Sequence, residues 1–155
     1  MDNMKSMSYK TFGITMIISF LIMYIVMFLN LDKPAHYHTS LSRIYMALLM
    51  VSIMAIVMIL MMGKMYPNKK ANTMIMIVGG FVFVLVLIGL RTQTPIGDLQ
   101  YMKAMIPHHS SAILVSKHAN IKDPQVKKLS EDIIKAQEKE IAEMEAMIKK
   151  LELAQ

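Results

Sequence analysis

The sequence predicts an all-α protein, three transmembrane helices followed by an extramembrane α-hairpin, and three observations predict it. Hydrophobic residues make up 55% of the 155 residues, above the ~45–50% of ordinary globular chains. They gather into three uncharged runs, Phe12 to Leu29, Ile44 to Met62 and Met74 to Leu90, of 18, 19 and 17 residues, close to the ~20 that cross a bilayer as helix. After Leu90 the chain turns polar and places its apolar residues at helical spacing, with one break at Ile121-Lys122-Asp123-Pro124. Spans at about 12–29, 44–62 and 74–90 therefore form a membrane domain of residues 1–91, and residues 92–155 a helical hairpin domain.

Taken in order, the first run follows Lys5 and Lys10 as a signal peptide would. Its apolar stretch is too long, and its exit, Leu29-Asn30-Leu31-Asp32, offers no small-x-small cleavage site, so it reads as an anchor. Orientation follows from the basic residues beside the spans. Lys5, Lys10, Lys64, Lys69 and Lys70 share one side, against Lys33, Arg43, Arg91 and Lys103 on the other. The 63–72 loop, with three lysines and no acid, decides for an inner N-terminus and an outer hairpin. Gly79-Gly80 lies in the third run, where small residues let helices approach.

The hairpin begins after a turn-rich connector, Thr92, Thr94, Pro95 and Gly97, where Asp98 can cap a helix reaching about Asn120. In the next turn Asp123 takes the N-cap and Pro124 the first helical position. The last helix sets Val126, Leu129, Ile133, Ile141, Met144, Ile148 and Leu151 near one face, with Lys and Glu opposite. Two helices of this size bury little core, so the hairpin is expected to close into a four-helix bundle as a homodimer or higher oligomer.

The net charge of +6 does not imply nucleic acid. Residues 1–90 carry +5 of it, beside the spans, and the tail carries +1 with Tyr101 as its one aromatic that could stack. Cysteine is absent, which removes disulfides and thiolate sites and leaves thioether, imidazole and carboxylate as metal ligands.

The one strong bias is 19 methionines. In the second span Met46, Met50, Met54, Met58, Met61 and Met65 fall in an arc of about 120° at about 100° per residue. Met16, Met23 and Met27 share a face of the first. Such a stripe either packs helices, as an apolar filler does, or passes a soft cation such as Cu(I) or Ag(I). The tail is sharper: Met102, Met105, His108 and His109 in one helix, Met144 and Met147 in the other. Met102, Met105 and His109 stand at i, i+3 and i+7, so one face can offer two thioethers and an imidazole to one ion. His108 lies 100° away by helix geometry, and Pro107, which disfavours helical geometry at Ile106, could kink the chain and bring it in. The alternative is a pair of solvated histidines on an amphipathic helix. His36 and His38, in the first loop, are either a second metal-collecting pair or polar loop residues, and His118 suits the end of its helix.

Several chemistries fail on residue type. No histidine has a glutamate three residues before it, as bundle di-iron sites require, and neither a phosphate loop nor a serine elbow is present. The spans hold no acidic or basic residue, so a proton relay has no carrier there.

The pattern Asp98-x-x-Tyr101-Met102-x-x-Met105-Ile106-Pro107-His108-His109, with Ala112-Ile113 and then Ile133-Ile134-x-x-Gln137-x-x-Glu140-Ile141-x-x-Met144, resembles the ferritin-like family catalogued as domain of unknown function 305. The resemblance covers about residues 98–148. It implies an all-helical domain outside the cytoplasmic membrane, with some relatives associated with copper binding and tolerance. By position it makes His108, His109, Met102, Met105, Met144 and Met147 the candidate ligands, and Gln137 and Glu140 residues that fix the helix pairing. The expectation is a multi-pass protein of a bacterial cytoplasmic membrane, not an enzyme, that takes Cu(I) or Ag(I) as its ion for tolerance, buffering or hand-over. Lipid, metal ion and a second copy are its expected partners, and nucleic acid is not. The rival readings are a copper-transporting oligomer using the stripe of Met46, Met50, Met54 and Met58, and an assembly module that binds no metal.

Overall fold

A computed structural model describes residues 8–154. Lys5, one of the residues used for orientation, lies outside that range. Among the described residues the chain is entirely helical, with α1 at Tyr9–Val26, α2 at Leu41–Met62, α3 at Lys69–Thr92, α4 at Asp98–His118 and α5 at Pro124–Leu153. Short 3-10 turns occupy Pro34–His36 and Gly63–Met65. Three segments, Tyr9–Val26, Leu41–Met65 and Lys69–Thr92, are long and apolar enough to cross a membrane. Their side chains point mostly outward, Ile17, Leu21, Leu60, Ile77 and Phe81 among them, as expected where lipid rather than protein takes the apolar surface.

The chain divides into two compact units. Among the described residues the first comprises 8–26 and 42–95. Its core is Phe12, Ile59 and Tyr66, with Met16, Met58, Met62, Met65 and Met76 packed against them. Tyr66 stands edge-on to Phe12, ring centroids 5.7 Å apart, a geometry the aromatic quadrupole favours. Asn68 begins α3 by accepting a hydrogen bond from the Ala71 N–H, which satisfies one of the unpaired donors at that end. Of the paired glycines only Gly79 makes a close approach: a Cβ there would meet Ile56 Cγ1 at 3.1 Å and the Ser52 carbonyl oxygen at 3.5 Å, whereas at Gly80 it would meet open space.

The second unit joins residues 96–154 to residues 27–41. In the hairpin Met102, Ile106, Ile113, Ile141 and Ile148 form the core, with Leu99, Ile134 and Met144 at its margin. Asp123 Oδ1 accepts from the Gln125 and Val126 N–H groups at 2.8 and 3.0 Å, and Pro124 opens α5, both as expected from the sequence. The cap of α4 differs: Gly97 occupies the N-cap without a side-chain bond, and Asp98 is the first helical residue, where its charge still complements the helix dipole. The proline does not divide the helix either. Ile106 and Pro107 are fully buried and α4 runs on through both. The missing proline N–H removes one backbone bond, and packing on both sides holds the helix together.

Residues 27–41 lie along α4. The Asp32 N–H donates to Ser110 Oγ at 2.8 Å, His36 Nδ1 lies 2.8 Å from the same hydroxyl, and Asn30 Nδ2 donates to Ser111 Oγ at 2.8 Å. Lys117 donates to Asp32 Oδ2 at 2.9 Å, and Gln100 Oε1 accepts from the Leu41 N–H at 3.0 Å. This strap gives α4 cover that α5 alone does not supply, and Ser110 ends fully buried between polar partners. Val126, Leu129 and Leu151, expected on the apolar face of α5, are exposed; that face is buried between them, at Ser130, Ile141 and Ile148.

Candidate functional site

The site is built by helical spacing on two antiparallel helices. On α4, Tyr101, Met102, Met105 and His109 fall at steps of one, three and four; on α5, Glu140, Glu143, Met144 and Met147 do so at steps of three, one and three. Residues so spaced share a face, and these two faces line a cavity of about 470 Å3. A second hollow of about 420 Å3 shares Tyr101, Met102 and Met147 and adds Asp98, Lys150 and Leu151. Met102 is buried and also serves the core, Met105 and Met144 are half-buried, and Met147 is exposed.

His109 is buried, 8% exposed. Its Nε2 lies 2.7 Å from Glu140 Oε2, a length typical of a charge-assisted bond. Its Nδ1 is buried without a hydrogen-bond partner, and so is Gln137 Oε1, one turn before Glu140 on α5. Buried polar atoms left unpaired are uncommon and call for an explanation. Cross-ties flank this level of the hairpin: Lys103 to Glu152 at 2.7 Å, and Ser130 donating to the Ser116 carbonyl at 3.1 Å.

The cavity gathers five of the six hairpin residues expected from the sequence: Met102, Met105, His109, Met144 and Met147. His108 is not among them. It is exposed, its ring centroid 6.2 Å from that of His109, because an unbroken α4 keeps neighbouring residues about 100° apart. Among the described residues no group of three or more His, Asp or Glu is arranged to hold a metal ion; the cavity is lined by four thioethers and one imidazole, with the carboxylate side chains of Glu140 and Glu143 on its α5 side. The thioethers are the ligands a soft monovalent cation prefers.

The remaining candidates lie elsewhere. His36 is buried against Ser110, and His38 is half-buried, its imidazole held below the ordinary value chiefly by burial, with Glu145 opposing. In the second span Met46 and Met50 are exposed, Met54 is half-buried, and Met58 packs in the core with its sulfur 3.8 Å from the Tyr66 hydroxyl. The sequence stripe is thus divided between packing and outward faces. Tyr101 and Glu143 were not singled out as site residues by sequence reasoning, although Glu143 lies one step before Met144 and Tyr101 one before Met102.

An all-helical protein with three helices able to cross a membrane and a methionine-lined hairpin is the class these features define. Residues 90–155 match the family described as Domain of unknown function (DUF305). The chain is also 38% identical over 110 residues, 70% of its own length and 70% of the relative's, to Uncharacterized protein L153 of Acanthamoeba polyphaga mimivirus. The chain belongs to the domain of unknown function 305 family. The viral likeness is longer than the family match and so extends into the region before it. No solved structure matches the chain.

Proposed function

We propose that the protein is a membrane-anchored binder of Cu(I) or Ag(I) that buffers the ion or hands it over, and that it is not an enzyme. One observation carries the reading: four thioethers and one imidazole border a single cavity between α4 and α5. The ion is cargo. Met105, Met144 and His109 offer it soft and intermediate donors, and the absence of cysteine leaves no thiol to oxidise beside it. In this proposal the chain sits in a bacterial cytoplasmic membrane with its N-terminus inside and the hairpin outside, as the lysines of the 63–72 loop favour, and a second copy pairs with the hairpin.

The full chain, purified in detergent, is to be titrated with Cu(I) against a chromophoric competitor. Met105→Ala combined with His109→Ala is expected to lower affinity by about 100-fold or more, equivalent to ~2.8 kcal/mol; equal affinity in the two proteins refutes the proposal. Alkaline phosphatase fused after Leu153 should be active and after Tyr66 inactive, and the reverse pattern inverts the orientation.

A further inference from the structure

We infer that Glu140 is a positioning residue that fixes the tautomer of His109, so that Nδ1, and not Nε2, is the nitrogen offered to a soft cation. The inference rests on the metal-binding reading and deepens it by naming the ligand atom and the residue that prepares it.

The argument starts from hydrogen inventory. An ionised carboxylate only accepts, so a 2.7 Å contact between Glu140 Oε2 and His109 Nε2 places the hydrogen on Nε2. In a neutral imidazole with Nε2 protonated, Nδ1 carries the lone pair. That atom is buried and has no donor opposite it. Gln137 Oε1, one turn before Glu140 on the same helix, is a second buried acceptor without a hydrogen to receive. A buried Nδ1 lone pair with nothing to accept carries a desolvation penalty, and it belongs to the one imidazole that borders the α4/α5 cavity.

The arrangement also matches how proteins prepare imidazole for metals. A ligating histidine donates its other ring N–H to a carboxylate or carbonyl, which sets the tautomer and orients the ring. Glu140 is suited to that part. It projects from α5 while His109 projects from α4, and its side chain is half exposed while Oε2 holds the ring. His109 is itself held between helices at 8% exposure, and its ring has little freedom to turn over. Four thioethers on the adjoining faces supply the remaining donors.

The test reads the tautomer directly. The full chain, labelled with 15N at histidine and held in lipid nanodiscs, is examined by two-bond 1H–15N correlation without metal and with added Ag(I). The His109 signals are assigned by their loss in His109→Gln. The expected result is a metal-free ring with Nε2 protonated and Nδ1 bare, and an Ag(I)-dependent shift at Nδ1 alone. Glu140→Ala lets both tautomers appear and weakens Ag(I) binding by about 10–100-fold, with helicity unchanged. A metal-free ring protonated at Nδ1, or Glu140→Ala with the wild-type tautomer, overturns the inference. An Ag(I) shift at Nε2 overturns it while leaving the metal reading intact. The expected tautomer with no response to Ag(I) removes the metal reading and this inference with it.

Discussion

The methionines of the hairpin and those of the second span are the same side chain at the same helical spacing, yet their surroundings separate them. In the span, Met58 and Met65 fill space around Tyr66 and Phe12 while Met46, Met50 and Met61 face outward. In the hairpin, Met102, Met105, Met144 and Met147 converge from two helices on one hollow that also holds a buried histidine. Spacing puts thioethers on a face; only a second helix of matching pattern, with an imidazole among them, turns a face into a candidate site. A stripe on one helix is a packing surface until something opposes it.

The comparison can be tested where the two units differ most in what holds them. Ile106 is fully buried in the hairpin core, so Ile106→Ala is expected to destabilise that unit by ~2–5 kcal/mol. Leu60, 65% exposed on α2, faces outward in either case, and Leu60→Ala should leave melting of the hairpin unchanged. Circular dichroism melting of the full chain in detergent separates the two, and equal losses would contradict the division into independent cores.

A smaller effect distinguishes the thioethers themselves. Met→Leu nearly conserves volume and keeps packing within about 1.5 kcal/mol, so it isolates the sulfur. Met105→Leu with Met144→Leu is expected to weaken Cu(I) or Ag(I) binding at least about tenfold, ~1.4 kcal/mol, while Met54→Leu with Met58→Leu leaves both affinity and proteoliposome flux unchanged. Loss of flux in the span variant would instead restore the stripe as a conducting path.

The smallest expected effect is pH dependence at the strap. Burial holds the His38 imidazole below its ordinary value of 6.5, so the folded state favours the neutral ring. As pH falls below 6.5 the unfolded chain binds the proton first, and stability declines until the lowered folded value is passed. The contribution is complete above that window and lost through it. His38→Gln should flatten the melting temperature between pH 7 and pH 5 relative to the parent, and an unchanged slope assigns the dependence elsewhere.

Much of this architecture was legible in the sequence because the signals are local. The three uncharged runs marked the helices able to cross a membrane, and Asp123-Pro124 marked the start of α5 to the residue. Helical spacing alone grouped Met102, Met105 and His109. The fate of His108 was not legible, since it depends on whether Pro107 bends α4, and that is decided by burial of Ile106 and Pro107 in tertiary packing. Nor was the partner of His109. Glu140 is separated from it by 31 positions, and the family pattern pointed only to helix pairing. The strap was the largest omission, because Asn30, Asp32 and His36 carry no periodic signal and meet Ser110, Ser111 and Lys117 from far away in the chain.

That strap has a consequence for anyone wishing to move the hairpin onto another protein. A transplant cut at residue 92 would take α4 and α5 but leave behind the partners of Ser110, Ser111 and Gln100, and the Asp32 partner of Lys117, which keeps Glu138 on α5. The face of α4 that looks merely hydrophilic in sequence would then be a surface stripped of its complement. A portable version has to carry residues 27–41 as a second, noncontiguous piece, supplied as a separate peptide or rejoined through a linker, so the transferable unit is three segments rather than two.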